Sequence, residues 1–261
     1  MSQGALLTIL GCGSSGGVPR ATGDWGACDP SEPKNRRRRC SLLAQAEGTT
    51  VLIDTAPDFR DQMLEVGPPA RIDAVFFTHT HADQAHGIDD LRAFVLKQRE
   101  RLPVFGLPAT VQSLTERFDY CFESTMGYPP ILSIEALDGP RTVGALTLEA
   151  LTVEHGEMPG TAGYRIEGPD GRSAGYIPDA NGLPDETAAR LEGLDLLVID
   201  ALRPTPHPSH FCLQDALDWI ARLGPRRAVL TNMHLDLDYQ TLKADLPDGI
   251  EPAFDGMRVS L

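Results

Sequence analysis

The segment Thr78–Gly87 reads THTHADQAHG and sets His79, His81 and Asp83 at alternate positions, just where the apolar run AVFFT from Ala74 ends. Alternate residues of an extended strand project to the same side, so one strand-to-loop corner delivers two imidazoles and a carboxylate to one point. Neutral imidazole and carboxylate are the usual ligands of zinc, manganese and iron. A polar turn with incidental histidines is the competing reading, and with only 7 His in the chain the spacing makes it the weaker one. More ligand-type residues stand at comparable places: His155 after LTLEALTVE, Asp179 after SAGYIP, and His234 just beyond RAVLTN. Singly, each reads as a structural residue. Together they put His and Asp at the carboxyl ends of several predicted strands, where α/β sheets gather their sites.

Strands and short helices must hold such a constellation. Strands are expected at ALLTIL from Ala5, TVLID from Thr50, AVFFT from Ala74, LTLEALTV from Leu146, AGYRI from Ala162, SAGYIP from Ser173, DLLVID from Asp195 and RAVLTN from Arg227. Helices are expected at Asp58–Val66, Asp89–Arg99, Ala109–Phe118, Pro184–Leu191 and Leu213–Leu223. This mixed order, with hairpin pairs and crossovers, is α/β (α+β). No repeat and no linker divides the chain, so residues 1–261 are expected to be a single domain. Gly11 to Cys40 is a long Gly-, Pro- and Arg-rich loop without a strand or helix of its own, and loops of that length are usually functional or disordered.

Composition narrows the partners. A net charge of -14 argues against wrapping long nucleic acid, which needs many Lys and Arg contacts to phosphate. The basic run Arg36 to Arg39 reads either as a solvated turn paired with nearby acids or as a local anion contact near the site. No stretch has the 18 apolar residues of a membrane span, and the N-terminus lacks the basic region and cleavage pattern of an export signal. The 5 cysteines, odd in number and without a Cys-x-x-Cys pair, fit reduced thiols in a cytoplasm. A homodimer stays open, since oligomeric state leaves no readable mark.

The strand-borne His-x-His-x-Asp, a later lone His, a strand-end Asp and a late His resemble the metallo-β-lactamase superfamily. GCGSSGGVPR from Gly11, the Arg run before Cys40 and HGIDDLR from His86 are similar to the branch that contains the phosphoribosyl cyclic phosphate phosphodiesterase of phosphonate breakdown, a relative of tRNase Z. The resemblance covers nearly the whole chain and implies an αββα sandwich. It implies His79, His81 and His155 on one divalent metal, Asp83 and His234 on a second, and Asp179 between them. The cofactor is then Mn or Zn, one or two ions per chain. Asp54, ending TVLID, is implied to orient a ligating imidazole, with a plain helix N-cap as the equal alternative.

The chain departs from the family at position 84, where Gln stands in place of the His of His-x-His-x-Asp-His. An amide oxygen serves zinc less well than imidazole, so Gln84 or water is expected to complete a weaker or Mn-preferring second position, and His86 reads as a helix-start residue. His210, in RPTPHPSHF, matches the family's late His motif and is expected to protonate a leaving oxygen. Substrate contacts are expected from His207, Ser14 and Arg39.

Bound divalent metal lowers the pKa of water toward roughly 7 and supplies hydroxide at neutral pH. The resulting expectation is a phosphodiesterase for a small cyclic or nucleotide-like phosphodiester, with Asp83 orienting the nucleophile. Its rivals are a thioester or other ester hydrolase on the same fold, and a metal- or nucleotide-binding sensor with a degraded second metal site. A tRNA-processing nuclease would carry a basic substrate arm that this sequence does not show.

Overall fold

Near-continuous apolar runs in the first third of the chain build a sheet that is buried on both faces. The computed structural model describes residues 4–124 and 127–261. In chain order its first sheet holds β1 (Leu6–Gly11), β2 (Ser41–Ala46), β3 (Thr49–Ile53), β4 (Ala74–Phe76), β5 (Leu102–Gly106) and β6 (Leu132–Ala136). The second holds β7 (Arg141–Val143), β8 (Leu146–Thr152), β9 (Ala162–Glu167), β10 (Ser173–Ile177), β11 (Leu196–Asp200), β12 (Ala228–Thr231) and β13 (Ile250–Pro252). The last strand, β14 (Met257–Ser260), returns to the first sheet and pairs antiparallel with β1. Each sheet is antiparallel in one half and parallel in the other: β3–β4–β5–β6 and β10–β11–β12–β13 run parallel.

The period of two decides what lies between the layers. Leu42, Ala44, Val51 and Ile53 face the second sheet and share a core with Leu148, Tyr164, Tyr176 and Val229. Leu43, Leu52, Val75 and Val104 point the other way, against α1 (Phe59–Val66) and, beyond the four-residue α2 (Ala82–Ala85), α3 (Arg92–Gln98) and α4 (Pro108–Arg117). After the short α5 (Asp119–Phe122), the second sheet is covered by α6 (Asp185–Leu191) and α7 (Leu213–Leu223), and α8 (Tyr239–Asp245) follows β12. In α7 the spacing of Ala216, Ile220 and Leu223 turns one stripe into the core, where each large apolar side chain contributes about 1.5–3 kcal/mol. Gly224 ends it in the left-handed conformation, φ +59°. The layers are therefore helix, sheet, sheet, helix, as the resemblance implied.

All the expected strands and helices form, with ends shifted by up to two residues, and the expected helix Asp89–Arg99 divides into a 3-10 turn, Ile88–Leu91, followed by α3. The sequence reading missed β2, β5, β6, β7, β13 and β14 together with α8 and the four-residue α2 and α5. LPVFG of β5 carries Pro and Gly, which break local strand patterns, and it is held by parallel pairing to β4 and β6 on both sides. The Gly11–Cys40 segment has no strand of its own; it is pinned by a 3-10 turn at Pro33–Asn35 and by bridges of Gly13 to Arg39 and Val18 to Arg37. Among the described residues no helix is long and apolar enough to cross a membrane.

Candidate metal centre

Parallel strands end on the same side, and the site is built there. Asp54 follows β3, His79 lies just past β4, Asp179 just past β10, Asp200 closes β11 and Asn232 follows β12. Asp54 and Asn232 both adopt the left-handed conformation, at φ +62° and +58°. That costs about 1 kcal/mol for a residue with a Cβ, and Asp and Asn bear it best. In return each side chain turns back into the site.

Three imidazoles converge. His79 Nε2 lies 2.9 Å from His81 Nδ1, and His155 Nε2 lies 3.2 Å from the same atom. Their outer nitrogens are committed. The Thr78 hydroxyl donates to Asp54 Oδ2 at 2.8 Å, leaving its lone pairs for His79 Nδ1–H at 3.0 Å, while His155 Nδ1–H donates to the Ser209 carbonyl at 2.7 Å. The inner nitrogens of His79 and His155 are thus the unprotonated ones. Burial holds all three rings below the ordinary histidine range, His155 down to about 4, so all are neutral at physiological pH. Three lone pairs packed at these separations repel one another unless a cation lies between them. Nitrogens bonded at about 2.0–2.1 Å to one tetrahedral ion sit roughly 3.3 Å apart, so the donor set fits a divalent metal.

Asp54 works one bond further out. Fully buried, it accepts from the Thr78 amide and hydroxyl, both at 2.8 Å, and thereby orients His79. It caps no helix: α1 begins after Asp58.

Asp179 is buried between two amides. Asn232 Nδ2 reaches its Oδ1 at 3.1 Å and Gln84 Nε2 its Oδ2 at 2.7 Å. Burial first, then the nearby Asp83 and Asp200 carboxylates, raise its carboxyl well above the usual range. A bound cation would reverse that shift. Gln84 is fully buried, its nitrogen also 3.5 Å from Asp83 Oδ2, and its oxygen has no partner among the described residues. That orphaned neutral oxygen is the atom through which Gln84 would meet a hard ion.

His210 enters from the loop before α7. Its Nδ1 lies 2.8 Å from Asp200 Oδ2 and 3.1 Å from Asn232 Nδ2, and its ring centroid is 4.7 Å from that of His155. One nitrogen or oxygen each of His155, Asp179 and His210 falls within 4.8 Å of the others, as for the triple-imidazole group. Sequence reasoning passed over Asp200 and Asn232. Asp200 carried the same signal as Asp54, an acid closing an apolar run, whereas Asn232 carried none.

A cavity of about 350 Å³ opens onto this centre, lined by Ser14, His81, Asp83, His155, Asp179, His207 and His210 among others. The Ser14 hydroxyl is buried there without a partner among the described residues. Two expected site residues fall outside these two groups. His234 binds Asp236 Oδ2 through Nδ1 at 2.8 Å and belongs to neither cluster. Arg39 pairs with Asp58 at 2.9 Å and lines a different cavity, and His86 stacks edge-on against Phe118.

With this geometry in hand, similarity to known proteins is informative. The family model for the beta-lactamase superfamily domain matches residues 49–233. A solved structure described as a new diphosphatase from the PhnP family is similar at 34% identity and a TM-score of 0.90, over 100% of this chain and 98% of that one. A Porphyromonas gingivalis protein named octanoyltransferase is 35% identical over 257 residues; these are 95% of this chain, which spans 50% of that longer relative. The short form of human tRNase Z shares the fold, with a TM-score of 0.72 at 17% identity over 98% of both chains. The match over more than half of its length and the full-length similarity to the PhnP-family structure show that this chain belongs to the beta-lactamase superfamily and has the metallo-β-lactamase fold.

Proposed function

We propose that the chain is a metal-dependent hydrolase of phosphodiesters, acting on a small cyclic or nucleotide-like substrate. One observation carries the reading: a cluster of three imidazoles and a carboxylate-backed histidine, His210 on Asp200, stand at one cavity. His79, His81 and His155 would hold the ion with Asp179; Asp83, Gln84 and His234 would form a weaker second set, with His234 held by Asp236 through Nδ1 and offering Nε2. The metal, Mn or Zn, supplies a Lewis acid that polarises a phosphoryl oxygen and lowers the pKa of water.

The chain's own residues do the rest. The Asp83 carboxylate accepts a proton from the attacking water and aligns it. The water oxygen forms the new bond to phosphorus as the bond to the leaving alkoxide breaks. His210, when protonated on both nitrogens, keeps its Nδ1–H on Asp200, delivers the Nε2 proton to the leaving oxygen and is left as the neutral ring. The unpartnered Ser14 hydroxyl donates to a non-bridging phosphoryl oxygen, and His207, whose ring centroid lies 5.0 Å from that of His210, bounds the substrate on the outer side. Similarity to the PhnP-family diphosphatase supports phosphoester chemistry, and the net charge of -14 supports a small substrate over long nucleic acid.

The test is release of para-nitrophenol from bis-para-nitrophenyl phosphate with added Mn or Zn. Metal-dependent turnover supports the reading. Tight nucleotide binding with no turnover on a panel of cyclic phosphodiesters points instead to a sensor, and hydrolysis confined to thioesters points to the other ester class.

A further inference from the structure

The basic run that the metal centre leaves unused gathers in one place. Lys34, Arg36, Arg37, Arg38 and Arg39 line a second cavity, of about 570 Å³, with Gly17–Pro19 and the carboxylates of Asp58, Glu65 and Asp255. Arg38 is paired with Glu65 at 2.5 Å and Arg39 with Asp58 at 2.9 Å. The other three cations have no carboxylate within ion-pairing distance among the described residues. They are held by neutral groups instead. Lys34 Nζ donates to the Tyr239 hydroxyl at 3.1 Å and stands 4.2 Å over the Phe254 ring, and the Arg36 guanidinium lies 5.0 Å over Trp25. Arg37, 2% exposed, donates to Asn35 Oδ1 and the His234 carbonyl, at 3.2 and 3.3 Å, and to Cys28 Sγ at 3.9 Å.

Aromatic faces and amide oxygens order a cation without cancelling its charge. A cavity with five cations against three carboxylates therefore keeps a positive field, in a chain whose overall charge is -14. Burial also pushes the Asp255 carboxyl up to about 7, which thins the negative side near neutrality. The volume suits a diphosphate or a nucleotide. Gly17 N donates to the Ser14 carbonyl at 2.7 Å, so a single turn separates this cavity's wall from Ser14 in the metal-centre cavity.

We propose that the Lys34–Arg39 cavity is an anion-binding site for a phosphate or diphosphate group, gripped by Lys34 and Arg36. Arginine and lysine suit such a group because the planar fork pairs two phosphoryl oxygens while the ammonium adds a point charge. The anion is either a distal phosphate of the hydrolysed substrate or a separate effector.

Calorimetric titration of the metal-loaded protein with inorganic pyrophosphate tests this. Wild type should show a binding event that Lys34→Ala/Arg36→Ala weakens about tenfold or more, because both charge-assisted hydrogen-bond donors to the anion are then missing. Arg36→Glu should remove the event altogether; Arg36 is exposed, so its replacement leaves the core intact. An isotherm identical in wild type and Arg36→Glu would place all pyrophosphate at the metal and overturn the site. If the anion belongs to the substrate, Arg36→Glu raises KM for a nucleoside diphosphate ester more than KM for bis-para-nitrophenyl phosphate. If it is an effector, pyrophosphate alters bis-para-nitrophenyl phosphate turnover in wild type and not in Arg36→Glu. Absent phosphodiester turnover with pyrophosphate binding intact would remove the proposed function and leave this site standing.

Discussion

His210 Nδ1 lies 2.8 Å from Asp200 Oδ2, at the end of β11 and in the loop that leads into α7. Burial raises the Asp200 carboxyl to about 6, so at neutral pH it is ionised and can only accept. The contact therefore fixes the His210 proton on Nδ1 and turns Nε2 to the cavity.

Replacing Asp200 with Asn should keep the bound metal and lower turnover by roughly 10- to 100-fold, because an amide can turn its NH₂ toward His210 and favour the wrong tautomer. Wild-type kcat should fall as pH drops through about 6, where the Asp200 carboxyl gains a proton and releases the ring, and Asp200→Asn should lose that limb. A parallel pH profile in the variant would make Asp200 merely structural. His210→Ala should cost about 10² to 10⁴ in turnover with metal content unchanged.

His79→Ala and Asp179→Ala should each lose metal and hydrolysis together. Elemental analysis of the purified variants measures this directly, and a full metal load in Asp179→Ala would remove that residue from the ligand set.

The three imidazoles should add little to the pH dependence of metal affinity between about pH 8 and pH 6, since neutral rings have no proton to release, and the raised Asp179 carboxyl is the one ligand of that set that weakens binding by taking up a proton as pH falls. The sign follows from the lowered pKa values of His79, His81 and His155: protonation competes only as pH falls toward them. A loss steeper than about tenfold per pH unit between pH 7.5 and pH 6, more than one carboxyl can account for, would mean that the imidazoles take up protons too and would contradict the burial argument.

Gln84→His should raise zinc affinity at the second position by roughly tenfold or more. The variant exchanges an amide that donates to Asp179 at 2.7 Å for an imidazole with a lone pair to offer. Native mass spectrometry across a zinc titration reads the stoichiometry, and superimposable titrations would mean that side chain 84 takes no part in binding.

The histidine-rich corner and the strands that carry it were legible in the sequence because their causes are local. Side-chain alternation in β3, the stripe of α7 and the spacing of His79, His81 and Asp83 each lie within a few consecutive residues. The departure at Gln84 was equally visible, but its orientation was not: the amide answers to Asp179, 95 residues away. The same holds for the Ser209 carbonyl that sets the His155 tautomer from 54 residues on, and for Asn232, whose one amide nitrogen donates to both Asp179 and Asp200. The Arg36–Arg39 run shows the division most clearly. Its charge could be read off directly, yet which guanidinium is cancelled by Glu65 or Asp58 and which is left over aromatic rings depends on α1, the Trp25 loop and α8 meeting around it. Local pattern determines which residues form strands and helices, because backbone geometry repeats over short distances. Tertiary packing alone decides which polar groups share a desolvated site, because that depends on chain segments far apart in sequence being buried together.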